Sequence, residues 1–174
     1  MSGQQIRREE TDLSIQSINH ALNKLTSLHE SLLTLSKEKT EIVKEGSVAK
    51  LQSLLIKEQK FVQAIEQAEW KRQQAVHAWA IQHHTDPDTV TITYILKNET
   101  DKTSGKELEQ WSTRLTSTLA QLKQQEHLNR ELVKQSLQFV ELSLDMLNPT
   151  IQGMNYGDKR SSAVPVRSVF DSKA

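Results

Sequence analysis

ELVKQSLQFVELSLDML, residues 131–147, decides how this chain folds. Val133, Leu137, Val140, Leu144 and Leu147 recur in steps of three and four, so they share one face of a helix. Leu132, Phe139, Leu142 and Met146, led by Leu128, form a second apolar stripe beside the first. What remains for water is narrow: Lys134, Gln138, Glu141 and Asp145, again three and four apart. A helix on the surface of a globular protein carries one apolar stripe about 100° wide. Here the apolar arc is roughly twice that width, so the stretch needs two covering surfaces. They are either two helices of the same chain or one such helix and a partner.

Outward from this stretch the chain reads as helix. Upstream, Leu108, Trp111, Leu115, Leu119 and Leu122 continue the spacing, which predicts one long helix over Lys106–Leu147. Glu126 and Asn129 interrupt its inner face, and a polar layer of this kind costs stability while fixing register. Asn148-Pro149 stops the helix, because the residue before proline disfavours the helical conformation.

A second helix is predicted over Ser47–His84. Leu51, Leu54, Glu58, Phe61, Ile65, Ala68, Arg72, Ala75 and Trp79 fit one heptad frame, with Leu55, Val62 and Val76 widening the face. Glu58 and Arg72 are either charges snorkelling from the seam or partners for the other helices. A first helix begins between Gln4 and Asp12 and runs to Glu45, on Ile15, Ile18, Leu22, Leu25 and then Leu28, Leu32, Leu35, Ile42. Gly46 is placed to end it in the left-handed conformation and Ser47 to cap the next helix, so these two helices are antiparallel neighbours. Val90, Ile92, Tyr94 and Leu96 alternate as a strand would, but no second strand exists to pair with them. The segment near Asp88–Leu96 is therefore expected to be a short helix, followed by a polar loop over Asn98–Gly105. The expected architecture is all-α: three long antiparallel helices in an elongated bundle over residues 1–148, with a short connecting helix. Residues 149–174, with Gly153, Gly157 and Pro165 and no periodicity, read as a flexible tail carrying the isolated aromatics Tyr156 and Phe170.

Composition narrows the function. Lysine plus arginine and aspartate plus glutamate each number 22, so the chain lacks the excess of positive charge that nucleic acid requires. Cysteine is absent, which removes disulfides and thiol chemistry and suits a reducing cytoplasm. No apolar run approaches a membrane span, and no secretory signal is expected at the start. His77, His83, His84, Asp86 and Asp88 cluster, yet His77 and His84 stand about two helical turns apart, too far for a compact zinc site. Phosphate loops, nucleophile elbows and triad-like sets are missing, so an enzyme, a metal or another cofactor is not expected.

Several motifs resemble the FlgN family of flagellar export chaperones. Leu28-x-x-x-Leu32-Leu33-x-Leu35 precedes Gly46-Ser47 and Leu51-x-x-Leu54-Leu55-x-x-Glu58, with Arg72 later in that helix. Leu128-Asn129-x-x-Leu132-Val133-x-x-Ser136-Leu137 closes the third helix, and Asn155-Tyr156-Gly157 opens the tail. Where the family often carries another glycine close by, Asp158-Lys159-Arg160 follows here. The resemblance implies a cytoplasmic chaperone that holds a terminal amphipathic helix of the hook-associated, hook–filament junction proteins and delivers it to the flagellar type III export gate. Leu132, Val133, Leu137, Phe139, Val140, Leu142, Leu144, Met146 and Leu147 are then the expected client surface, since an apolar helix needs a complementary groove. Tyr156 and Gly157 are the expected contact for the export gate. The alternative is a self-associating coiled-coil protein, whose extra stripe would be a homodimer seam.

Overall fold

A computed structural model describes the backbone of residues 3–98 and 101–147 and the side chains of residues 15–98 and 101–146. The described chain is helical throughout and contains no strand: α1 spans Gly3–Glu45, α2 Val48–Gln82, α3 Ile92–Asn98 and α4 Lys102–Leu147, with a 3-10 turn at Pro87–Thr89. The expected flexible tail, including Tyr156 and Gly157, and the stop at Pro149 lie outside the described residues.

Each boundary has a local cause. Gly46 adopts φ +69°, and the Ser47 amide donates to the Ile42 carbonyl while the Gly46 amide donates to Val43. This pairing satisfies carbonyls that the end of α1 would leave orphaned. Ser47 takes the extended cap conformation before α2 but makes no side-chain cap bond. The same pairing ends α2, with Thr85 bonded back to Ala80 and His84 to Ile81, and here His84 occupies the left-handed position at φ 53°. α4 begins earlier than the spacing of its apolar residues predicts. The Asp101 carboxylate accepts the amides of Thr103 at 3.2 Å and Ser104 at 2.8 Å, so residues 102–105 are the first helical turn and not a loop. The Ser104 hydroxyl first, then the Ser104 and Thr103 amides, hold the Asp101 carboxyl below the usual carboxylate range by hydrogen bonding to it.

The chain divides into two units, residues 1–135 and 136–174. In the first, Leu35 and Ile42 of α1 pack on Leu54, Leu51 and Phe61 of α2, while Ile18 and Leu22 meet Trp79 and Ala75. Early α1 therefore faces late α2, and the two are antiparallel. α4 runs parallel to α1, because its partners advance with them: Asn19 bonds the Ser104 carbonyl, Glu30 pairs with Arg114, and Thr40 bonds Asn129. The result is an up-down-up bundle, in which consecutive long helices are antiparallel as the sequence predicts.

Two apolar clusters fill this unit. Ile15, Ile18, Leu22, Trp79, Ile95 and Leu108 form one, and Leu35, Ile42 and Leu54 the other. α3 belongs to the first. Ile92, Ile95 and Leu96 reach that cluster together, at helical steps of three and four, and Ile95 is the fully buried one. A strand would have pointed Ile95 away from Ile92 and Leu96, so core burial selects the helix over the strand-like alternation. Val90, just before it, keeps an extended backbone. Leu55 and Val62 do not widen the buried face of α2 as expected; both are exposed.

Candidate functional site

Two features of the helices carry polar or apolar groups in unusual places. The first is a polar layer within the bundle. Asn129, 2% exposed, donates from Nδ2 to the Ser36 carbonyl at 2.8 Å and to Ser36 Oγ at 3.0 Å, and accepts from the Thr40 hydroxyl at 2.6 Å. Gln125 donates to Thr40 Oγ1 at 2.6 Å. The Lys39 ammonium bridges Glu58 of α2 at 2.7 Å and Glu126 of α4 at 2.9 Å, and Ser36 Oγ donates to Glu126. Glu58, Glu126 and Asn129 thus prove to be one network joining all three long helices. Arg72, the other charge in the α2 frame, pairs within its own helix, with Glu69 at 2.7 Å.

The electrostatics of the layer follow from its contacts. Burial opposes the Lys39 charge, but hydrogen bonds to Glu58 and Glu126 together outweigh it and hold the ammonium above the usual lysine range. Burial would likewise raise the Glu126 carboxyl, yet hydrogen bonds from Ser36 and Lys39 hold it below the usual carboxylate range. Every polar side chain here meets a partner, which is what allows such groups inside a helical seam.

The second feature is the apolar end of α4. In the second unit, Leu137, Val140 and Leu144 of one stripe and Phe139, Leu142 and Met146 of the other are all exposed, Phe139 at 72% and Met146 at 81%. The structure places neither stripe in a core, although at least one was expected to pack within the bundle. The described part of the second unit is the single helical stretch 136–147, which cannot bury two faces by itself. Around the helix axis the two stripes flank Ser136 and Ser143, while Gln138, Glu141 and Asp145 make a narrow polar edge on the far side. In the first unit, Leu132 is half-buried and Val133 exposed. The Leu147 side chain lies outside the described residues.

Within the histidine cluster, His83 has a structural use. His83 stacks on Trp79 with ring centroids 3.8 Å apart and donates from Nδ1 to the Trp79 carbonyl at 2.8 Å. Tyr94 meets the same indole edge-on at 6.1 Å. Among the described residues no group of three or more His, Asp or Glu side chains is arranged to hold a metal ion, and no helix is long and apolar enough to cross a membrane. Sequence reasoning missed the His83–Trp79 stack and the Asp101 cap. Asp101 three residues before Ser104 was the available signal for the cap, and the four-residue spacing of Trp79 and His83 was the signal for the stack.

Comparison with known proteins places this architecture. A family model described as FlgN protein matches residues 13–163. The Bacillus subtilis (strain 168) protein called "Uncharacterized protein YvyG" is 37% identical over 165 residues, which cover 93% of this chain and 100% of that protein. No solved structure matches.

Proposed function

The chain belongs to the FlgN family, and from that premise we propose that it is a cytoplasmic export chaperone for the flagellar hook–filament junction proteins. It holds an amphipathic terminal helix of its client and delivers that client to the type III export gate. One observation carries the reading: the end of α4 presents Leu137, Phe139, Val140, Leu142, Leu144 and Met146 to solvent. A folded chain gains nothing from apolar side chains left in water, and each becomes worth about 1.5–3 kcal/mol once buried by a partner. An amphipathic helix of a client offers the matching face, in the helix-in-groove manner. Leu132, Val133 and Leu147 extend the same surface in this proposal. Tyr156 and Gly157 serve the second step, contact with the cytoplasmic domain of the export gate, so that client and gate are held by different parts of the chain.

The test is co-expression of the full chain with each hook–filament junction protein, followed by size exclusion with light scattering. A one-to-one or higher complex that is lost in Val140→Ser/Leu144→Ser, while the variant keeps its melting temperature, supports the proposal. A free chain that is dimeric through these same residues and ignores every junction protein overturns it in favour of the homodimer seam.

A further inference from the structure

α2 carries a second outward surface that the client reading leaves unused. At 100° per residue, positions 48, 52, 55, 56, 59, 62, 63, 66, 67, 70, 73, 74, 77 and 81 lie on one side of the helix, opposite Leu54, Phe61 and Trp79. All fourteen are exposed. Val48, Leu55, Ile56, Val62, Trp70 and Ile81 are large and apolar, and Trp70 is 59% exposed. Glutamines fill most of the places between them, and Glu66 is the one charge. Charged residues make up 25% of the chain, so an ordinary solvated face of this size would hold at least three or four. Depletion of charge around an exposed tryptophan is the compositional mark of an interface core, whereas single scattered apolar residues are not.

The flank of this face says what fits it. Lys60 and Lys71 stand along one edge, both exposed, and they make no ion pair with the described residues. The opposite edge, Glu58 and Glu69, is already occupied by Lys39 and Arg72. The surface therefore presents an apolar and amide centre with a positive border on one side. It is about 50 Å long, the length of 33 residues of helix. An α-helix laid along it at a shallow angle would interleave with its ridges.

We infer that this face of α2 is a docking surface for an acidic amphipathic helix of a partner protein, separate from the client surface on α4. The partner packs its apolar stripe on Trp70 and its neighbours and places carboxylates against Lys60 and Lys71. A protein partner fits better than an anionic membrane. The glutamines interleaved with the apolar residues would have to enter the acyl boundary unpaired, whereas a helix can meet them with polar side chains.

The chain has three tryptophans, so 5-fluorotryptophan labelling of the full chain gives three fluorine resonances, with Trp70 assigned by Trp70→Phe. The probes are a four-heptad helical peptide with a leucine stripe and glutamate flanks, a twin with lysine flanks, and vesicles of phosphatidylcholine and phosphatidylserine. The glutamate peptide is expected to shift the Trp70 resonance saturably. Its affinity should fall about tenfold or more in Lys60→Glu/Lys71→Glu, and equally in the milder glutamine double should the charge reversal disturb the fold. Val140→Ser/Leu144→Ser should leave the shift unchanged, which separates this surface from the one on α4. The inference is overturned if the glutamate peptide leaves Trp70 unmoved or if the lysine twin binds as well. It is also overturned if vesicles alone move the resonance, or if dilution of the protein alone does, the mark of a second copy on this face.

Discussion

Between Gln125 and Asn129, α4 sends amide and carboxylate groups into the first unit, where Ser36, Lys39, Thr40 and Glu58 meet them. Between Leu137 and Met146 the same helix turns leucine, valine, phenylalanine and methionine to solvent. Both arrangements run against the preference of apolar groups for the inside, and they teach different things. The polar layer gives up the free energy that apolar side chains would have supplied there. In exchange, only one alignment of three helices lets Lys39 reach both glutamates while Asn129 reaches Ser36 and Thr40. The apolar end adds nothing to the packing of the described residues, where its side chains are exposed. In the proposed function its hydrophobic gain is held for a partner.

The sharpest break in this comparison is a paired substitution at the apolar end. Val140→Ser/Leu144→Ser should cost the fold little, about 0.5 kcal/mol or less per exposed position. Client binding should fall by more than a hundredfold, since two side chains worth about 1.5–3 kcal/mol each are lost. Calorimetric titration and thermal melts on the same samples measure both. Phe139→Ser/Met146→Ser puts the same question to the other stripe. A large drop in melting temperature in either pair would mean that the stripe belongs to the core after all.

Lys39→Ala should do the reverse and act on stability. It leaves Glu58 and Glu126 facing each other's side of the seam without their cation. The cost should be about 3 kcal/mol, the low end for breaking a buried pair because Glu126 is partly exposed. Urea denaturation reads it. Replacing Lys39, Glu58 and Glu126 together by methionine and leucines should recover that loss or exceed it, while the distribution of oligomers and helix registers broadens. A triple variant that remains one sharp species would show that the layer does not set alignment.

A smaller effect is expected from pH. Glu126 titrates below its usual range when folded, so its contribution is present above the ordinary carboxylate pKa of about 4.3 and is lost as pH falls through the depressed folded value. Lys39 titrates above its usual range, so its contribution is complete below about 10.4 and is lost only as pH rises through the raised folded value. Stability attributable to the layer should be flat from about pH 5 to pH 10 and fall outside that window. Glu126→Gln should flatten the acid limb, and an unchanged acid limb would show that other carboxylates govern it.

The smallest effect on the bundle is expected from Tyr156→Ala. Melting temperature and client affinity should stay as they are, while motility and secretion of the junction proteins fall. A loss of client affinity in this variant would merge the two roles that the proposal keeps apart.

Helical class, the three long helices, the break at Gly46 and the inward position of Glu126 and Asn129 could all be read from the sequence. They follow from local chemistry: steps of three and four fix a face, a glycine tolerates positive φ, and two polar residues at seam positions must point inward whatever they meet. Similarity to the FlgN family was legible for the same reason, since Leu28 to Glu58 and Leu128 to Leu137 keep their spacing along the helices. Which groups meet was not. That Glu58 and Glu126 share Lys39 while Arg72 turns to Glu69 depends on how three helices line up across 19 and 87 residues of chain. Periodicity gives the angle of a side chain about its own helix and carries no information about what stands opposite. The same gap explains Leu55, Val62 and the two stripes of α4. Their spacing marks them as apolar faces, but only packing in three dimensions decides whether an apolar face is core or is left open for a partner.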